Sequence, residues 1–257
     1  MTVAYEIHGG GPNHVVVMHD WMSTLRSYDG VRPYLDTDKF SYVFMDHRGY
    51  GGSRAIGGTN TLREAAQDVI DLADHLGWKR FNLVGHSMSA MVALRVVLDA
   101  PRRVRSLVAV TPVGAGGLPL DKDARAIFAS AATNAASWRM VSKMVTSERL
   151  PDRWHDAKLR QFRSTVDPQA FLRFLDMWTR SNFVAEMVDL ETPALALVGR
   201  HDFKAFSEQA VRQTFGTWFK DATIRVLEGA GHYPMSEVPL TFVAEIEAFL
   251  SRQHERR

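Results

Sequence analysis

The chain has 257 residues, enough to bury a sizeable core as one large domain or as a domain with an inserted piece. A net charge of +2, with 46% hydrophobic and 23% charged residues, is that of an ordinary soluble globular protein and creates no field pointing to nucleic acid or a membrane surface. The absence of cysteine excludes disulfides, thiolate metal sites and a cysteine nucleophile, and it fits a cytoplasmic location.

At the N-terminus, MTVAYEIHGG has no basic start followed by a long apolar stretch, so no signal peptide is expected. No stretch approaches the length of a membrane span. HGGGP, His8 to Pro12, reads as a turn joining two early strands. Val15 to His19 is an apolar run that ends in the loop HDWMS, and Tyr42 to Asp46 leads into DHRGYGGS, Asp46 to Ser53. Leu62 to Leu76 carries apolar residues at helical spacing, with Thr61 and Glu64 as a capping-box start. Phe81 to Gly85 and Leu107 to Thr111 are further strands; between them Met88 to Leu98 is apolar nearly all round, as a buried helix is.

The alternation breaks from about Gly114 to Leu190, a stretch without a convincing strand but rich in aromatic residues and methionine. It opens with PVGAGGLP, closes at ETP, and reads as a helical insertion over one end of a sheet. Its aromatics and methionines divide between helix core and the lining of an apolar pocket. Ala194 to Gly199 and Ile224 to Leu227 are the last strands, Phe242 to Leu250 is the last helix, and SRQHERR is a solvated tail. Strands apolar throughout, alternating with helices, predict an α/β fold with a doubly wound, mostly parallel sheet. Residues 1–113 and 191–257 are expected to form this core, and residues 114–190 the all-helical insertion.

The strongest chemical signal is FNLVGHSMSAMVALRVV. A strand ends at Gly85, Ser87 follows two residues on, and a helix starts at once. A serine on such a turn is strained and exposed, at a helix N-terminus whose free N–H groups favour negative charge. A serine hydroxyl needs a base. His232, in LEGAGHYPMSEVP, follows the last strand, and Asp202, in LALVGRHDFKAF, lies just past the strand before it, where a carboxylate can orient the imidazole. The plain readings of these positions are an N-cap serine, a surface histidine and an N-cap aspartate. His201 is left without a role.

The order Ser87, Asp202, His232, together with the Asp46–Ser53 loop and EVP after the histidine, resembles the α/β-hydrolase superfamily over nearly the whole chain. The likeness is to its serine-nucleophile branch with a helical cap, esterase-, lactonase- and C–C-hydrolase-like. It implies a serine hydrolase cleaving a small carboxylic ester or lactone, with Ser87 as nucleophile, His232 as base and Asp202 as its orienting acid. It implies no metal or organic cofactor; the partner is a small substrate, apolar or aromatic in part, and neither nucleic acid nor a membrane is expected. The oligomeric state stays open. A C–C bond hydrolase, a cofactor-independent oxygenase or a perhydrolase could use the same residues, and a ligand-binding receptor with vestigial hydrolysis is a further alternative. The serine speaks against the dehalogenase and epoxide-hydrolase branches, which resemble this one but carry aspartate at that position.

The resemblance also implies an oxyanion hole of two backbone N–H groups, those of Met88 and Trp21. HGGGP spells a lipase-like oxyanion motif, but it precedes the Val15–His19 strand and belongs at the opposite end of the sheet from Ser87. Two positions depart from the family: Ser89 and Asp20 stand where glycine is usual. A carboxylate about 5 Å from an oxyanion would cost roughly 3 kcal/mol at an effective dielectric near 20, about what one oxyanion donor supplies. Asp20 is therefore expected to point towards a local N–H, His19 or Arg48; the alternative is that it acts in the pocket as a base or substrate-binding group. His19, Trp21, Met88, Trp138, Phe174 and Trp178 are further candidates for the pocket.

Overall fold

The computed structural model describes residues 2–255, and the last two residues of the expected tail lie outside them. Seven strands form one sheet: β1 (Tyr5–His8), β2 (Asn13–Met18), β3 (Phe40–Met45), β4 (Phe81–His86), β5 (Val104–Val110), β6 (Ala194–Gly199) and β7 (Ala222–Leu227). Their order across the sheet is β1-β3-β2-β4-β5-β6-β7. Only the edge strand β1 is antiparallel, to β3; the other pairs are parallel. The register aligns Met18 with Gly85, Gly85 with Ala109 and Ala109 with Ala196, so the C-terminal ends of the central strands share one rim.

β3, β4 and β6 are buried along their whole length because both faces are covered. The period-two alternation of a strand divides the two faces. Val16, Met18, Leu83 and Ala109 pack in one core, and Val15, Val17, Val84 and Val108 pack in the other. Helices α1 (Leu62–His75) and α2 (Met88–Asp99) lie on the first face, and the C-terminal helix closes the second. Every residue of α2 from Met88 to Val97 is buried, as its all-round apolar sequence requires. At the start of α1, the Thr61 side chain accepts from the Glu64 N–H, but Glu64 reaches back to the N–H of Asn60, one residue before the box position.

Residues 114–190 carry α3 (Lys122–Ser130), α4 (Ala135–Val145), α5 (Asp152–Thr165) and α6 (Pro168–Arg180). After them come α7 (Glu208–Trp218), the short α8 (Pro234–Glu237) and α9 (Pro239–Glu255), which takes in the first residues of the expected tail. α3, α4 and α6 contribute to a cavity shared with Ser87 and His232. This is a cap over the C-terminal rim of the sheet. Among the described residues no helix is long and apolar enough to cross a membrane.

The HGGGP turn is structural: the N–H groups of Gly10 and Gly11 donate to the carbonyl of Thr37, at the N-terminal end of β2. A Cβ on Gly11 would come within 2.3 Å of the Lys39–Phe40 backbone, so the glycine permits a close chain crossing. DHRGYGGS serves its loop in the same way. The Asp46 carboxylate accepts from the N–H groups of Leu25 (2.8 Å) and Gly52 (2.9 Å), and Gly51 leaves room for it.

Candidate active site

The turn from β4 to α2 holds Ser87 at φ 54° and ψ −116°, a strained conformation for a residue with a side chain. Gly85 makes this possible, since a Cβ there would sit 2.4 Å from the carbonyl oxygen of Ser89. The Ser87 N–H is held by the carbonyl of Val110 at 2.9 Å. The hydroxyl lies 3.0 Å from His232 Nε2, and His232 Nδ1 lies 2.9 Å from Asp202 Oδ2. Asp202 is shielded from solvent and its other oxygen accepts from the N–H of Phe203 at 2.7 Å. A carboxylate at Nδ1 places the imidazole proton there, which leaves the Nε2 lone pair to accept from the serine hydroxyl.

The histidine loop is clamped from behind. Glu237, the glutamate of EVP, accepts from the N–H groups of Gly231 (2.9 Å) and Tyr233 (3.1 Å), the two neighbours of His232. The carbonyl of His232 accepts from His86 Nε2 at 2.7 Å and from the Thr111 hydroxyl at 3.2 Å. Burial disfavours the charged form of His232, but the Asp202 carboxylate outweighs it, aided by Asp20 and Glu237, and the histidine is held above its ordinary pKa.

The N–H groups of Trp21 and Met88 donate to no group of the chain among the described residues. Met88 opens α2 and Trp21 follows β2, the strand beside β4, so both belong to one rim. Trp21 is anchored to the cap: its ring stacks on Phe171 at 3.9 Å and its indole N–H donates to the Phe171 carbonyl at 2.8 Å. The Tyr50 hydroxyl donates to the Trp21 carbonyl at 2.9 Å. Ser89 uses its hydroxyl where glycine would have none: it donates to the His19 carbonyl and accepts from His47 Nε2 at 2.7 Å. His19 donates from Nδ1 to the Asp20 carbonyl (2.7 Å) and accepts at Nε2 from the His47 N–H (3.2 Å). Burial holds both His19 and His47 below the ordinary histidine range.

The Asp20 carboxylate takes the local N–H expected of it, that of Met22 at 2.8 Å, and also the Tyr233 hydroxyl at 2.9 Å, both on Oδ1. It does not meet Arg48, which is bidentate on Asp68 at 2.8 and 2.7 Å. Burial alone would raise its pKa; the contact with His86, with Lys158 and Ser23, draws it below the carboxylate range instead.

A cavity of about 420 Å³ opens on Ser87 and His232. Asp20, Trp21 and Trp178 line it. The expectation fails for His19, Met88, Trp138 and Phe174, which are not on its wall. Trp138 packs on Phe162 within the cap, 5.7 Å between rings, and Phe174 turns down onto His47 (5.4 Å) and Tyr50 (5.6 Å). His19, in the loop after β2, and Met88, the first residue of α2, are fully buried. The wall includes instead Met22, Phe128, Met140, Met144, Phe206 and Tyr233, residues the sequence reading did not assign to it. Tyr233 and Phe206 had a readable signal, since each follows closely after His232 or Asp202.

A mostly parallel sheet of this order, with a serine on the strand-to-helix turn at its rim and helices inserted above, defines an α/β-hydrolase fold with a cap. The model of the Alpha/beta hydrolase family matches residues 7–246, and the chain belongs to that family. A dihydrolipoyllysine-residue acetyltransferase component of an acetoin cleaving system from Pseudomonas putida is 27% identical over 97% of this chain and 66% of its own length. The chain spans 31% to 66% of the length of the relatives that carry that name. Among solved structures, bromoperoxidase from Bacillus anthracis superposes with a TM-score of 0.85 at 19% identity, covering 96% of this chain and 94% of that one. The enol-lactonase from Burkholderia xenovorans LB400 gives 0.82 at 22% identity, covering 97% of this chain and 96% of that one. At such identities the likeness is one of fold.

Proposed function

We propose that the protein is a serine hydrolase acting on a small, largely apolar carboxylic ester or lactone through an acyl-serine intermediate. The carrying observation is the hydrogen-bonded line from Ser87 Oγ through both nitrogens of His232 to Asp202, at 3.0 and 2.9 Å, opening on an apolar cavity. Ser87 Oγ attacks the substrate carbonyl carbon as its proton passes to His232 Nε2. Asp202 stabilises the imidazolium so formed. The carbonyl oxygen, now an oxyanion, accepts from the N–H groups of Trp21 and Met88. Collapse expels the alcohol, which takes the proton from His232. A water then gives a proton to His232 and attacks the acyl carbon, and His232 returns that proton to Ser87 Oγ as the acid is released. The cap supplies an apolar wall, which suits an uncharged acyl or alkyl group.

The enol-lactonase among the structural neighbours supports including lactones in the substrate class. A perhydrolase would pass the same acyl group to peroxide, and a C–C hydrolase would cleave a 1,3-diketone. An oxygenase on this fold would depend on His232 and Asp202 far more than on Ser87.

Incubation with p-nitrophenyl acetate and a fluorophosphonate probe tests the reading. Turnover and labelling are both expected, and both should vanish in Ser87→Ala. Neither in the wild-type protein would sink the proposal, and a native reaction that survives Ser87→Ala would favour the oxygenase.

A further inference from the structure

Two buried ionisable side chains, Asp20 and His86, stand behind the reacting groups and take no part in the acyl-transfer steps. His86 ends β4, one residue before Ser87; Asp20 lies one residue before Trp21. They are 0% and 2% exposed. His86 Nε2 is 2.7 Å from the carbonyl oxygen of His232, and a carbonyl only accepts, so this nitrogen carries a proton. Its Nδ1 faces Asp20 Oδ2 at 3.5 Å, and neither atom has a hydrogen-bond partner among the described residues. Without a proton between them, two sets of lone pairs would confront each other in a buried site, which is costly for both groups. The neighbouring histidines differ: His19 has a donor-and-acceptor pair of partners, and His47 donates from Nε2 while its Nδ1 has no hydrogen-bond partner among the described residues.

We propose that a proton lies between His86 Nδ1 and Asp20 Oδ2, and that the Asp20–His86 pair is a positioning bracket joining the oxyanion loop to the loop of His232. Its three outward ties end beside the reacting groups. Asp20 Oδ1 holds the N–H of Met22, next to Trp21, and the hydroxyl of Tyr233, next to His232. His86 holds the carbonyl of His232 itself and shares its proton with Asp20. This gives the aspartate at a glycine position a purpose, and the shared proton removes the objection of a bare carboxylate beside an oxyanion. Asp20 Oδ2 is sealed from the cavity, so this oxygen is not offered to substrate as a base or binding group. Other groups facing the pair are Lys158, whose ammonium donates to Ser27 (3.0 Å) and Ser23 (3.5 Å), and the rings of Tyr28, Tyr50, Tyr233 and His232.

The inference rests on the hydrolase reading of Ser87 and His232, and its test separates the two. In the wild-type protein, a proton NMR spectrum edited for nitrogen-bound protons should contain a low-field histidine ring resonance that is lost in both Asp20→Asn and His86→Gln. That readout needs no turnover. On p-nitrophenyl acetate, each variant should lower kcat about ten- to a hundredfold while KM stays within about twofold. The double variant should be no slower than the slower single one, because the side chains act as one unit. A spectrum from which Asp20→Asn removes no ring resonance, losses that multiply in the double variant, or an effect confined to KM would overturn the proposal. If these variants do not fold, Tyr233→Phe removes only the hydroxyl on Asp20 Oδ1. It should lower kcat in the same sense with KM unchanged, and an unaltered kcat counts against the bracket. A wild-type protein without turnover or labelling but with the Asp20-dependent resonance would defeat the hydrolase reading and support the pair.

Discussion

In the proposed reaction His232 must be neutral to take the proton of Ser87, and its surroundings set the pH at which it is so. Burial works against its charged form, but the Asp202 carboxylate 2.9 Å away prevails, with Asp20 and Glu237 adding to it. The raised pKa means that the working, neutral form accumulates only at higher pH. The acid limb of kcat/KM should therefore have its inflection above the roughly 6.5 of an ordinary histidine. Asp202→Asn should move that limb to lower pH and cut kcat by about 10⁴-fold, because an amide no longer enforces the proton on Nδ1. A pH–rate profile of both proteins on one ester checks the pair of outcomes, and an acid limb unmoved by the substitution would remove Asp202 from its role.

The strand–turn–helix unit of β4, Ser87 and α2 is the element on which the proposed chemistry depends. Its strain is contained by close backbone contact at Gly85, where a Cβ would meet the carbonyl of Ser89 at 2.4 Å. That contact is to backbone, so Gly85→Ala has no flexible side chain to displace. It should destabilise the protein by about 1–3 kcal/mol as overpacking does. It should also lower kcat by about a hundredfold through displacement of Ser87. Gly216, within α7, is the contrasting case, because a Cβ there meets nothing within 4 Å. Gly216→Ala should raise stability by up to about 1 kcal/mol and leave turnover unchanged. Denaturant unfolding and ester assays on the two variants measure both effects; equal behaviour of the two would refute the role given to the Gly85 contact.

Across the whole molecule, the cavity exists because α3, α4 and α6 stand off the rim of the sheet, tied to it by Trp21 stacked on Phe171. A cavity of about 420 Å³ walled by Met22, Phe128, Met140, Met144 and Trp178 admits a chain of limited length. Methionine walls adapt their shape, so rejection of longer chains should be gradual. Along a series of p-nitrophenyl esters each added methylene buried is worth about 0.8 kcal/mol, about fourfold in kcat/KM, until the cavity is full. Phe128→Ala should shift that optimum to longer acyl chains, at a stability cost of about 3 kcal/mol for a buried phenyl ring. An optimum unmoved by the substitution would show that the acyl chain lies elsewhere.

The rim arrangement of Ser87, Asp202 and His232 was readable along the chain because parallel strands linked by crossovers bring all their C-terminal ends together. A residue just past a strand thus has a known address, and the same rule placed HGGGP at the wrong end for chemistry. Asp20 could be recognised as an anomaly in its loop, and the local N–H it would seek was foreseeable. Its partner was not, because His86 reaches it through the neighbouring strand rather than along the chain. The same limit applies to the cap. Phe174 and Trp178 lie one turn apart on α6, yet Trp178 walls the cavity while Phe174 rests on His47 and Tyr50. Helical spacing tells which residues are buried; which neighbour buries them depends on how helices from distant parts of the chain dock, and that is settled by packing alone.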